Sequence, residues 1–170
     1  MRRRWELTGR SSSIERCLAS SAQNEETASM KKDMGRVVVP IKVTSYPDVV
    51  LHGAGVRKQK PRSVKTEARV DTGATRLYLK PSIIKKLGLQ KTDTVRSHTT
   101  NGDVLRYKYQ PVQLEVMGRK ENFDVIEVPE SVPNLLGQVP LEVLDFVVDP
   151  KRQRLIGNPA HGGEQVTEEF

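Results

Sequence analysis

Between residues 63 and 71 the chain alternates, with Val64, Thr66, Ala68 and Val70 on one side and Lys65, Glu67 and Arg69 on the other. A period of two predicts a half-buried strand, because successive side chains of extended backbone point to opposite faces. The pattern stops at Asp71. Thr72 and Gly73 follow it, and a small hydroxyl residue with a glycine fits a tight turn that lifts a carboxylate off a buried base. Upstream, 36–44 is β-rich but interrupted by Pro40, which cannot donate to a ladder and so predicts an edge strand or a bulge. Downstream, 77–79 reads as a short strand. Pro81 at a first helical position, Ile83, Ile84 and Leu87 at helical spacing, and Gly88 after them predict a helix that ends there. A long hairpin is predicted over 91–117, turning at Asn101-Gly102. Within it the apolar positions Leu105, Tyr107 and Tyr109 give way to Val112, Leu114 and Val116, and that one-residue slip at Gln110-Pro111 predicts a β-bulge. A turn at Gly118-Arg119, strands over 123–128, 146–148 and 154–156, and a helix-like stretch over 141–144 complete the pattern.

Other stretches carry no period. Residues 1–35, rich in Ser, Arg and Glu, are expected to be a disordered leader, 36–158 the folded domain, and 159–170 a flexible tail. Within the domain, 45–62 holds Pro47, Gly53, Gly55 and Pro61 and is expected to be a long surface loop whose far end, with Arg57, Lys58, Lys60 and Arg62, is basic. Short strands dominate, with one or two short helices. The fold class is therefore mainly β, a small closed or nearly closed barrel.

Charge is uneven. Residues 1–70 carry 15 Lys+Arg against 7 Asp+Glu, and residues 71–170 carry 13 against 14, so the basic character belongs to the front of the chain. It is read as solvated charge rather than as a nucleic-acid contact. Cys17 is the only cysteine, which excludes an intrachain disulfide and a thiolate metal site and points to a reducing compartment, the cytoplasm. His52, His98 and His161 lack metal-ligand spacing, and no apolar run is long enough for a membrane span. Neither a metal nor a cofactor is expected.

Two landmarks carry a resemblance: Asp71-Thr72-Gly73-Ala74, and downstream Asn134-Leu135-Leu136-Gly137 with its helix-like sequel. On these residues the chain, from about 36 to 158, resembles the retropepsin-like aspartic peptidases, the family of the retroviral proteases and their cellular and bacterial relatives. That resemblance implies an acid-protease barrel in which the second landmark crosses beneath the catalytic turn. It also implies hydrolysis of peptide bonds by a water held between two carboxylates. Asp71 would be the catalytic acid, Thr72 would bond across a two-fold axis, and Gly73 would let the two backbones meet. The chain holds one such motif, since Asp93-Thr94-Val95 lacks the glycine. The second carboxylate would then come from Asp71 of another copy, making the enzyme a homodimer.

By the same resemblance Ala74 lines the floor of the site, and His98, Thr99, Thr100, Asn101 and Gly102 form a flap over a peptide or protein substrate. Leu136 and Gly137 complete the substrate-binding set, with Leu77, Ile84 and Val104 as pocket walls. Departures are visible too. The flap has less glycine than the viral one, Gln138 stands where the viral enzymes place an arginine, and Arg76 replaces an acid, so the viral ion pair that braces the dimer is absent as such. A reading from another class stays open at this point: an inactive barrel that binds peptides or a partner, or serves as a dimerisation module.

Overall fold

The computed structural model describes residues 36–99 and 102–166. The expected leader, and Thr100 and Asn101 of the expected flap, lie outside the described residues.

Strand β1 (Val38–Ser45) alternates as its sequence demands, with Val39, Ile41 and Val43 buried and Val38 and Pro40 exposed. It pairs antiparallel with β2 (Ser63–Val70), in a ladder that places Pro40 opposite Glu67. Val37 with Val70, and Ser45 with Arg62, are hydrogen-bonded positions of this ladder, so by alternation Pro40 falls at a non-bonded one. Its missing N–H would face β5 (Gly102–Val116), which pairs with β1 only from Lys42 onward. The proline therefore costs the ladder nothing.

The stretch between β1 and β2 is not the open loop expected of it. Residues Tyr46–Gly53 form a helix, α1, with Pro47 pre-setting its first turn and Asp48 in that turn. The Asp48 carboxylate is buried and receives Arg62 in a fork, Nε to Oδ2 at 2.6 Å and Nη2 to Oδ1 at 2.9 Å, with the Arg62 backbone N–H at 3.1 Å and Arg57 at 3.5 Å. Two of the four basic residues at the far end are thus paired with Asp48 rather than left as free surface charge, although Arg62 itself stays exposed. The Arg62 hydrogen bonds hold the Asp48 carboxyl down to about 2, against the opposing effect of burial. Since the folded value lies below the ordinary 3.8, this contribution to stability is complete above pH 4 and is lost as pH falls toward 2. Asp48→Asn is expected to cost about 2 kcal/mol at neutral pH and to flatten the acid limb of stability, measured by urea unfolding from pH 7 to pH 2.

After β2 come β3 (Leu77–Leu79), helix α2 (Pro81–Leu87) closed by Gly88 in the left-handed conformation, and β4 (Lys91–Thr99), which hairpins into β5. Strand β6 (Arg119–Glu127), β7 (Leu135–Leu136) and helix α3 (Gln138–Val143) follow. The bulge lies where the hydrophobic pattern slips: Tyr109 faces Val125 and Val112 faces Phe123, so Gln110 and Pro111 share one partner position. The turn between β5 and β6 sits one residue earlier than expected. Thr99 pairs with Gly102, and Val116 with Arg119 across Met117 and Gly118, both at positive φ.

The large sheet runs β1-β2-β7-β3-β6-β5-β4, and β1 also pairs with β5. Six strands thereby close a ring and β4 extends from it, which establishes the mainly β, barrel-like class. Valines and leucines of β1, β3, β5 and β6 fill the centre with Ile83, Ile84 and Leu87 of α2.

Strands β8 (Phe146–Asp149) and β9 (Arg154–Gly157) make a separate two-stranded sheet. The segment beyond it, expected to be flexible, is tied down as far as it is described. Buried Asp145 accepts from Asn158 Nδ2 (2.8 Å) and the Val166 N–H (3.2 Å) and lies 2.8 Å from His161 Nδ1, while Arg119 donates to the carbonyls of Leu144, Asp145 and Gly163. No helix among the described residues is long and apolar enough to cross a membrane.

Candidate active site

Strand β2 delivers Asp71, and the backbone fixes where it stops. Val70 donates to the Val37 carbonyl (2.8 Å) on one side, and Arg69 donates to Asn134 (2.8 Å) and Asp71 to Leu136 (3.0 Å) on the other. The Ala74 N–H then closes a turn onto the Asp71 carbonyl (3.0 Å). Within that turn the Gly73 N–H donates to Asp71 Oδ1 (3.0 Å), which orients the carboxylate. A Cβ at position 73 would lie 3.3 Å from that oxygen. Close approach, rather than an unusual torsion, is what asks for glycine here. Oδ2 lies 3.5 Å from the Arg69 guanidinium, and the two side chains keep about a third of their surface exposed (32% and 33%). Thr72 and Gly73 are exposed and Ala74 is half-buried.

Beneath the turn runs the second landmark. Strand β7 lies between β2, to which it is parallel, and β3, to which it is antiparallel. Past it, Gly137 donates to the Arg76 carbonyl (3.1 Å), Gln138 to Ala74 (2.7 Å) and Val139 to Thr75 (3.0 Å). The Asp71 turn and its flanks are therefore underpinned by backbone bonds from residues 134, 136, 137, 138 and 139. Asn134, itself buried, anchors the start of this brace: its amide donates to the Glu67 carbonyl (2.8 Å), and its Oδ1 accepts the Lys80 N–H (3.0 Å) that leads into α2. A buried amide satisfied by β2 on one side and by the start of α2 on the other fixes the brace in one position.

Among the other expected site residues, Leu136 does not offer its side chain to a substrate. It is fully buried, because β7 sits inside the ring between two strands, and what it contributes is the carbonyl under Asp71. Gly137 is buried in the same brace. Leu77 and Ile84, expected as pocket walls, belong to the core, and Val104 is on the surface. His98 and Gly102 stand at the end of the β4–β5 hairpin, His98 Nδ1 paired with Asp103. Thr99 pairs with Gly102 in the ladder. Two cavities open elsewhere, one of about 310 Å³ between Arg76, Phe123 and Pro140, the other of about 510 Å³ beside Asp145 and Val166. Asp71 lines neither. Arg69 carries no motif of its own and reads as an ordinary charge on the polar face of β2, although its two-residue spacing from Asp71 puts both on that face.

The described residues thus define a closed strand ring that presents one acid at the end of a strand, on a turn braced from below. The chain belongs to an aspartyl protease family of the retropepsin-like clan, whose family model, described as aspartyl protease, matches residues 48–139. No match to the chain is found among curated proteins.

Proposed function

We propose that the chain is an aspartic endopeptidase that works as a homodimer, hydrolysing peptide bonds with a water activated between the Asp71 carboxylates of two protomers. One observation carries this reading: the single Asp-Thr-Gly turn is braced underneath yet left exposed at Thr72 and Gly73, the residues through which a second turn would meet it. Val139 and Val143, four apart on α3, are also exposed, and Val139 is bonded to the catalytic turn itself. Apolar surface beside the turn suits a second copy.

In the dimer one ionised carboxylate accepts a proton from water as the water oxygen bonds to the scissile carbonyl carbon, and the protonated carboxylate donates to the carbonyl oxygen. Collapse of the resulting gem-diol breaks the C–N bond, with a proton passing to the leaving amine. Two like charges in contact resist ionising together, so the pair holds one proton between them, the arrangement general to aspartic peptidases. Thr72 locks the turns across the axis. Ala74 lines the floor, and the hairpin carrying His98, Thr99 and Gly102 closes over a peptide bound as an added strand. The chain works in the cytoplasm, as its lone Cys17 suggests.

Digestion of a peptide library tests the assignment. Asp71→Asn should keep the circular dichroism of wild type and lose cleavage by about a thousandfold or more. Equal cleavage by the two proteins would end it. A wild type that sediments as a dimer and binds peptides without cutting them would place the barrel among binding modules.

A further inference from the structure

We infer that Arg69 is a specificity-determining residue of this site and selects peptides carrying a carboxylate side chain next to the scissile bond. The inference rests on the peptidase reading above and adds a substrate class to it. Arg69 follows Lys65 and Glu67 on the outward face of β2, and Asp71 is the next residue on that face. Its backbone is fixed from both sides, opposite Val38 in β1 and Leu135 in β7, so the root of the side chain cannot retreat. The guanidinium reaches Asp71 Oδ2 at 3.5 Å, with both groups about one-third exposed.

A pair this open is held weakly and is readily exchanged. During hydrolysis it competes with the water and with the shared proton, because a guanidinium facing Asp71 Oδ2 takes up one of that oxygen's two lone-pair directions. Once a peptide covers the site, however, an arginine drawn off Asp71 needs another partner, since a desolvated cation without one is costly. A substrate carboxylate supplies that partner, and the planar fork of arginine fits it with two parallel hydrogen bonds. A neutral side chain leaves either Asp71 occupied or the guanidinium unpaired. Arg76, exposed at the other end of the same turn, adds to the positive charge there, and two copies double it.

Two peptide series differing only in Glu against Gln beside the scissile bond read this out. Wild type is expected to favour Glu about tenfold or more in kcat/KM. Arg69→Leu and Arg69→Gln should bring the ratio near one, and Arg69→Lys should keep part of it. The same ratio in wild type and in both neutral variants would overturn the inference and leave the peptidase reading standing. If wild type cuts neither series, that reading fails separately, and fluorescence anisotropy of the same peptides decides about Arg69. Glu-selective binding lost in Arg69→Leu and Arg69→Gln supports the inference, and binding indifferent to these changes ends it.

Discussion

Peptidase activity is expected to fall to about a quarter when half of the wild-type protein is replaced by Asp71→Asn at fixed total concentration. Random pairing leaves about one dimer in four with two carboxylates, and a mixed dimer has only one. A single carboxylate cannot both accept the proton of the water and supply one to the carbonyl oxygen. Asparagine is nearly isosteric, and its amide oxygen can still accept the Gly73 N–H that orients residue 71 (3.0 Å), so exchange between protomers should not be disturbed. Initial rates after overnight mixing, with sedimentation confirming the same dimer fraction in each sample, give the curve. A fall only to about half would mean that each chain works alone, and the shared site would be wrong.

That expectation follows from a count of motifs, the part of the site most open to inspection of the sequence. Local signals were legible wherever a single element decides its own geometry. The alternation of β2, the Pro81 start and Gly88 end of α2, and the slip around Gln110-Pro111 all stand in the structure where the residues put them. What escaped depends on partners distant in sequence. The turn between β5 and β6 is set by the ladder behind it, which places Val116 opposite Arg119 and so puts Met117 and Gly118, rather than Gly118-Arg119, in the turn. Helix α1 was hidden by Val49 and Val50, poor helix formers, and by glycines that read as loop. Its stability draws on Asp48 meeting Arg62, 14 residues away.

The residues of the candidate site divide in the same way. Asp71, Thr72 and Gly73 announce themselves as a motif. Arg69 does not, because a cation on the polar face of a strand is ordinary until the turn beyond it brings a carboxylate within 3.5 Å. Leu136 belongs to the expected site only by the family resemblance of its segment, yet a strand held between two others turns such a side chain into the core and leaves the backbone to support Asp71.

Gly137→Ala should therefore damage the protein severely, at a cost of about 3 kcal/mol or more in stability. A Cβ at 137 would stand 2.4 Å from the Arg76 carbonyl oxygen, 2.6 Å from that of Ala74 and 2.8 Å from the Arg76 nitrogen. All three are backbone atoms, so no rotamer relieves the clash and one segment has to move away. Moving it stretches the bonds from Gly137, Gln138 and Val139 to Arg76, Ala74 and Thr75, each worth about 1 kcal/mol. Leu136, whose carbonyl holds the Asp71 N–H at 3.0 Å, is the adjacent residue and would be dragged along. A carboxylate displaced by an ångström loses about a hundredfold in rate even in molecules that remain folded. Gly53→Ala is the matched control: its Cβ would meet nothing within 4 Å, and in a helix alanine is preferred. Urea unfolding together with kcat/KM on one peptide should separate the two variants clearly. A Gly137→Ala protein as stable and as active as Gly53→Ala would show that the strand below the turn does not hold Asp71 in place.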